Sequence, residues 1–113
     1  MSNTHPLAQA YMHAVNSKDV SKFRSLFAED AEVNDAGCSF AGTEAIRKWS
    51  DREIFEASVT LELIDASAEE NDITIKTIVD GNFDKAGLPD PLVITHRILI
   101  RDNKIAKLVC QLG

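Results

Sequence analysis

One carboxylate in the first half of the chain, Asp35, stands where acid–base chemistry could occur. It follows the short predicted strand 31–34 in the stretch FAEDAEVNDAG, at the point where this strand is expected to enter apolar surroundings. An aspartate that loses hydration in an apolar pocket becomes a stronger base, which suits removal of a proton from a substrate. An aspartate at a strand end can instead form a turn by bonding to its own backbone. The sequence leaves both interpretations open.

Other reactive side chains give little support for metal or nucleophile chemistry. Cys38 and Cys110 lack a neighbouring histidine and any metal-ligand spacing, so we expect both to be free thiols with structural roles. With Asp35 and His96 as the only candidate ligands, a metal site is not expected. The sequence contains no G-x-G-x-x-G, P-loop or G-x-S-x-G motif, so it predicts neither a nucleotide cofactor nor serine hydrolysis.

The first half of the chain is predicted to be mainly helical. Three helices are expected, and a short strand at residues 31–34 separates the second from the third. The residues suited to cap their N-termini are Thr4, Asp19 and Thr43. The apolar side chains expected to face inward from the three helices are Leu7, Tyr11, Ala14 and Val15; Val20, Phe23, Leu26 and Phe27; and Ala45, Ile46 and Trp49.

The second half is predicted to form an antiparallel sheet. The segments SVTLELIDASA and ITIKTIVDGNF alternate apolar and polar residues around an acidic turn. The loop DKAGLPDP, with a glycine and two prolines, cannot continue a ladder. The segments LVITHRILI and KIAKLVCQL follow, and the two-residue turn 102–103 between them is typical of a hairpin. This order predicts one α+β domain over residues 1–113, with three helices packed on a curved antiparallel sheet that forms a cone with an internal pocket.

Composition restricts the classes of partner. A chain of 113 residues suits one domain. The net charge is −6, from 12 basic and 18 acidic residues, and without a basic cluster it disfavours nucleic acid and anionic membranes as partners. No apolar run could span a membrane, and the N-terminal residues lack the features of a secretory signal. We therefore expect a cytoplasmic protein that binds neither nucleic acid nor a membrane.

Two segments of the sequence resemble a known family. AYMHAVNSKDVSKFRSLFAEDAEVND, followed by FAGTEAIRKW, is similar to the nuclear transport factor 2-like superfamily, in its ketosteroid isomerase and polyketide cyclase (SnoaL-like) branch. The resemblance covers nearly the whole chain and implies the same cone-shaped fold. This scaffold hosts isomerases, dehydratases, cyclases and non-catalytic binders, so the resemblance does not specify one activity.

The resemblance implies roles for three residues. Tyr11 falls on the family's oxyanion-hole tyrosine, and Asp35 falls on its general-base aspartate. The family's third residue, a protonated aspartate on the next-to-last strand, is absent. Its counterpart is Thr95 without a gap, or His96 if the following turn is one residue shorter. Alternation favours His96, because it lies on the more apolar face of its strand.

An apolar pocket implies an apolar ligand. The residues expected to line it are Phe23, Phe27, Phe40, Trp49, Phe55, Ile98, Leu108 and Cys110. One hypothesis is a cofactor-independent isomerase, dehydratase or cyclase, in which Asp35 removes a proton next to a carbonyl group and Tyr11, with or without His96, stabilises the enolate. The alternative is a non-catalytic ligand-binding or dimerisation module with the same fold.

The resemblance also implies a homodimer. Similar family members pair through the outer face of the sheet, which in this chain would carry Val93, Thr95 and Leu99. Aliphatic side chains exposed along several strands would promote aggregation of a monomer, which favours a covered face.

Overall fold

The structure, a computed structural model, describes residues 5–113 of the chain. Its elements in chain order are α1 (Pro6–Ser17), α2 (Val20–Ser25), β1 (Phe27–Asp35), β2 (Cys38–Ala41), α3 (Thr43–Ser50), a π-helical turn (Asp51–Phe55), β3 (Thr60–Glu69), β4 (Asp72–Asp80), β5 (Val93–Arg101) and β6 (Lys104–Leu112). Three helices accompany one curved six-stranded sheet, so the predicted α+β class is confirmed. None of the helices within residues 5–113 has the length and apolar character needed to cross a bilayer.

The first two helices begin at side-chain caps, of which the sequence predicts one. Thr4, the expected cap of α1, lies outside the described residues. The cap in the structure is His5, whose Nδ1 accepts a hydrogen bond from the backbone N–H of Leu7 at 3.0 Å. Asp19 caps α2 as predicted, because its carboxylate accepts from the backbone N–H of Lys22 at 3.1 Å.

The segment between α2 and α3 contains more strand than the sequence predicts. The predicted strand covers residues 31–34, whereas β1 is nine residues long and begins at Phe27, a residue expected on a helix. Cys38 begins β2, a strand that the sequence does not predict and that pairs antiparallel with β1. Gly42, and not Thr43, is the N-cap of α3, because Thr43 is already helical and its hydroxyl donates to a backbone carbonyl of β1 at 3.4 Å.

The six strands form one sheet in the order β2-β1-β6-β5-β4-β3. Strands β3 to β6 form the predicted antiparallel meander, but β1 lies beside β6 and runs parallel to it. Two parallel strands need a long connection between them, and here the connection consists of all the elements from β2 to β5. Alternation within a strand cannot reveal this pairing, because it records faces and not neighbours.

Helix α1 is fixed against one face of the sheet, which we call the inner face. The side chain of Asn16, in the last turn of α1, forms two hydrogen bonds with the backbone of Leu61 in β3. Its Nδ2 donates to the Leu61 carbonyl at 2.9 Å, and its Oδ1 accepts from the Leu61 N–H at 2.7 Å. These two hydrogen bonds set the position of α1 on the sheet. They therefore also set the position of Tyr11, which is buried on the side of α1 that faces the sheet.

An aromatic cluster fills the interior near α2. Phe23 is fully buried, and its ring centroid lies 5.7 Å from that of Tyr11, 5.1 Å from that of Phe27 and 5.4 Å from that of Phe55. Rings at these separations contribute packing energy beyond the area that they bury. Through Phe23, the cluster packs against the ring of Tyr11.

Candidate functional site

Neighbouring strands place three polar side chains in one row on the inner face. Asp35 of β1 pairs with Cys110 of β6, and Cys110 pairs with His96 of β5. Directly paired residues share a face of the sheet, so all three side chains point inward, while Thr95 points outward. Helix α1 adds Tyr11, whose hydroxyl oxygen lies 3.2 Å from Nδ1 of His96. The fold therefore brings Tyr11, Asp35 and His96 to one place.

These side chains line a cavity of about 380 Å³. Its volume is in the range of small-molecule sites. Trp49 and Cys110 also line it, and most of the other lining residues are aliphatic. The charged residues among the described lining are all acidic, namely Asp35 together with Glu53 and Asp84, both of which are exposed and mark the mouth of the cavity.

Most of the residues predicted to line the pocket do not line the cavity. Of the eight residues, Trp49 and Cys110 line it. The others lie in the core or pack against it, and they are Phe23, Phe27, Phe40, Phe55, Ile98 and Leu108. Phe23 packs against Phe27 and Phe55, and Phe40 packs against Trp49 with ring centroids 6.3 Å apart. Ile98 and Leu108 form a fully buried cross-strand pair. Their apolar character is therefore satisfied by other side chains instead of by a ligand.

The residues that close the cavity lie outside the lining predicted from the sequence. Ile54 comes from the π-helical turn, and Phe83 and Asp84 come from the loop after β4. A backbone contact holds this loop in place, since the Asn82 N–H donates to the Ala57 carbonyl at 2.6 Å. A side chain at Gly81 would put its Cβ 2.8 Å from that carbonyl, so only glycine permits the approach. The single phenylalanine in an otherwise polar, proline-rich segment is the signal that could have indicated a covering loop.

Asp35 is held by an aromatic donor and does not form the turn that follows it. The indole Nε1 of Trp49 donates to Oδ2 of Asp35 at 3.0 Å. In the turn after β1, the hydrogen bond to the Gly37 N–H is accepted by Oδ1 of Asn34 at 3.1 Å. Of the two interpretations that the sequence leaves open, the turn role therefore belongs to Asn34, and Asp35 points into the cavity.

Burial keeps the neighbours of Asp35 uncharged. Burial first, and then the nearby Cys110 and Asp35, raise the pKa of the Tyr11 hydroxyl well above its ordinary value. Burial, with a smaller contribution from Asp35, raises the pKa of the Cys110 thiol to about 12. At neutral pH Tyr11 is therefore a neutral hydrogen-bond donor, and Cys110 is a thiol without significant nucleophilic character.

His96 is a neutral member of a buried hydrogen-bond chain. Burial lowers its pKa to about 4, so the ring carries no charge at neutral pH. Its Nε2 lies 2.9 Å from Oγ1 of Thr77, and its Nδ1 lies 3.2 Å from the Tyr11 hydroxyl and 3.7 Å from Sγ of Cys110. Thr77 was not identified from the sequence, although alternation in ITIKTIVD places it as the one polar residue on the inward side of β4.

The cysteines are separated by strand β1. Cys38 is exposed on β2, Cys110 is buried on β6, and both are free thiols. Within residues 5–113, no group of three or more His, Cys, Asp or Glu side chains is arranged to hold a metal ion.

Comparison with known proteins identifies the family. The profile of the SnoaL-like domain matches residues 8–108. A proposed polyketide cyclase from Sinorhizobium meliloti is 26% identical and superposes with a TM-score of 0.86, covering 96% of both chains. A protein with a ketosteroid isomerase-like fold from Catenulispora acidiphila is 22% identical, with a TM-score of 0.80 over 96% of this chain and 86% of its own. A proposed ketosteroid isomerase from Kribbella flavida is 14% identical, with a TM-score of 0.79 over 95% of this chain and 75% of its own.

The last two similarities concern the fold alone, and a search of curated proteins found no match. The domain profile, in contrast, covers most of the sequence, which confirms the resemblance seen in its first half. The chain therefore belongs to the SnoaL-like domain family, in the nuclear transport factor 2-like superfamily.

Proposed function

We propose that the protein binds a small, neutral, apolar carbonyl compound in the cavity and transfers a proton next to its carbonyl group without a cofactor. The observation that carries this proposal is the convergence of the Asp35 carboxylate and the Tyr11 hydroxyl on one largely apolar cavity. A base and an oxyanion donor are the two groups that enolisation of a ketone requires.

The contacts of Asp35 and the burial of Tyr11 suit these two roles. The Trp49 indole engages Oδ2 of Asp35, so the other carboxylate oxygen, Oδ1, is offered to the hydrogen on the carbon next to the carbonyl. Tyr11 remains protonated because burial raises its pKa, and it can donate to the carbonyl oxygen as negative charge develops there. In an unsaturated ketone, Asp35 can return the proton to the far carbon of the dienolate, which moves the double bond. In a molecule with a second carbonyl group, the enolate carbon can attack that carbonyl carbon and close a ring, and the alkoxide that forms takes the proton back from Asp35.

The charges at the cavity favour a neutral ligand over an anionic one. Of the three acids that line the cavity, Glu53 is paired with Arg52, whereas Asp35 and Asp84 have no basic partner among the described ion pairs and repel a carboxylate or phosphate. The names of two of the structural relatives, polyketide cyclase and ketosteroid isomerase, refer to ketone-bearing molecules. They support a carbonyl compound as the ligand class.

Hydrogen exchange on simple ketones tests the proposal without knowledge of the natural substrate. A panel of cyclic and aryl ketones is incubated with the protein in D2O at neutral pH, and deuterium incorporation next to the carbonyl is followed by NMR. We expect exchange above the buffer rate for ketones that fit the cavity, and inhibition by phenol, which can occupy the Tyr11 donor. Ketones that bind but exchange at the buffer rate would instead support the non-catalytic binding module.

We also propose that the protein is a homodimer that buries the outer face of β4 to β6. This face carries partly buried aliphatic side chains, including Val93, Leu99 and Val109, together with the charged Lys76 and Lys107. Thr95 lies beside them, and two arginines of β5 on this face form ion pairs, Arg97 with Asp72 at 2.7 Å and Arg101 with Asp30. A face with this composition suits a self-complementary interface.

Light scattering at micromolar concentrations is expected to give twice the chain mass of 12.4 kDa. Leu99→Arg should shift this mass toward the monomer by placing a charge in the interface, whereas His13→Arg, on the exposed side of α1, should leave it unchanged. A monomer mass for the unmodified protein would refute the dimer.

A further inference from the structure

Thr77 is a fully buried polar residue that does not line the cavity. It lies on β4, and its hydroxyl oxygen is 2.9 Å from Nε2 of His96. The other ring nitrogen of His96 faces the hydroxyl of Tyr11. Thr77 is therefore connected through one imidazole to the group that would contact a ligand.

We infer that Thr77 holds His96 in the tautomer protonated at Nδ1, and that this tautomer leaves the hydroxyl hydrogen of Tyr11 free to point into the cavity. Thr77 is thus a positioning residue that acts through His96. Its consequence for catalysis rests on the proposed function, but the tautomer itself does not.

The hydrogens available along the chain Thr77–His96–Tyr11 select this tautomer. A neutral imidazole has one N–H and one lone pair, whereas a hydroxyl can both donate and accept. If Nε2 carried the hydrogen, Thr77 would have to accept it. The hydrogen of Thr77 would then be stranded, since no second acceptor for it is found among the hydrogen bonds of residues 5–113. If Nε2 is the lone pair, Thr77 donates to it, and the hydrogen without a protein partner is that of Tyr11, which lines the cavity and can reach water or a ligand there.

The tautomer at His96 decides which way Tyr11 donates. With the hydrogen on Nδ1, His96 donates to the Tyr11 oxygen at 3.2 Å, and the hydroxyl hydrogen is available to a ligand. With the hydrogen on Nε2, the Tyr11 hydroxyl would donate to the bare Nδ1, and its lone pairs would face the cavity. Lone pairs would repel an enolate, so only the first arrangement suits an oxyanion donor. A hydrogen bond donated by His96 also polarises the Tyr11 hydroxyl, which strengthens the hydrogen bond that Tyr11 donates to a ligand.

Nitrogen NMR of the ligand-free protein tests the tautomer directly. Protein labelled with 15N-histidine is studied at neutral pH, and the two ring nitrogens of His96 are classified as protonated or bare from their chemical shifts. We expect Nδ1 to be protonated and Nε2 to be bare. A wild-type His96 protonated at Nε2 would overturn the inference, whatever activity the protein has.

Two substitutions separate the hydroxyl from the shape of the side chain. Thr77→Val keeps the volume and removes the donor, so we expect the hydrogen to move to Nε2 and Tyr11 to turn its own hydrogen toward Nδ1. Thr77→Ser keeps the donor and should retain the wild-type tautomer. An unchanged tautomer in Thr77→Val would contradict the inference, and the wild-type and serine spectra remain decisive if the valine variant does not fold.

The ketone exchange rate gives the functional readout. Loss of one hydrogen bond to a charge-bearing oxygen should lower the rate in Thr77→Val by about tenfold to a hundredfold, while Thr77→Ser stays within a few-fold of wild type. A valine variant with the wild-type rate would show that Thr77 does not act on Tyr11. If the wild-type protein is protonated at Nδ1 but exchanges no ketone, the proposed function fails and the tautomer stands.

Discussion

Asp35→Asn is expected to lower the rate of ketone hydrogen exchange by about a hundredfold or more. The amide keeps the shape of the side chain, and its oxygen can still accept the hydrogen bond that the Trp49 indole donates at 3.0 Å. It cannot accept a proton at neutral pH, so the reaction loses its base. The rate is measured as deuterium incorporation at saturating ketone, which separates the chemical step from binding.

Ketone affinity provides the internal control for this variant. Because the amide preserves the cavity, the dissociation constant should change by only a few-fold. Asp65→Asn, an exposed carboxylate on β3, is the matched control and should keep the wild-type rate. If Asp35→Asn retained the full exchange rate, Asp35 would not be the base.

His96 is expected to cost the protein about 3 kcal/mol of unfolding free energy as the pH falls from 7 to 4. Burial lowers the pKa of the folded-state imidazole from 6.5 to about 4, whereas the unfolded chain keeps the ordinary value. Between these two values the unfolded chain binds one proton more than the folded chain, so acid favours unfolding. The contribution is complete above pH 6.5, declines down to about pH 4 and changes little below it.

Denaturant unfolding at neutral pH and at pH 4 measures this effect. Carboxylates also titrate in this range, so the wild-type protein is compared with His96→Gln, whose pH dependence should be about 3 kcal/mol smaller. His13→Gln replaces an exposed histidine and should retain the wild-type dependence. An equal pH dependence in the wild type and His96→Gln would show that His96 is not buried in its neutral form.

The convergence of Tyr11, Asp35 and His96 could be anticipated because it depends on local periodicity. A helical repeat places Tyr11 on the face that covers the sheet, and strand alternation separates His96 from Thr95. The resemblance to the family then assigns them to one site. In the structure, the side chains of Tyr11 and His96 lie within hydrogen-bond distance of each other, as this grouping requires.

The identity of the lining could not be anticipated in the same way. An aromatic residue such as Phe23 or Phe55 is recognisable as buried, but sequence does not record whether it faces another ring or a void. The neighbour of β1 and the loop carrying Phe83 are likewise set by contacts between segments far apart in the chain. Such contacts follow from tertiary packing and leave no local pattern.

The turn after β1 has a consequence for how this scaffold can diversify. Asp35 is the last residue of β1 and directly precedes the exposed Ala36 and Gly37, whereas Tyr11 is locked to the sheet by the double hydrogen bond of Asn16. Asp35 is anchored as well, because it pairs with Cys110 of β6 and accepts from the Trp49 indole. Both reactive groups are therefore held by contacts outside the exposed turn. Insertions or deletions at residues 36–37 can reshape the rim of the site without displacing either the base or the donor.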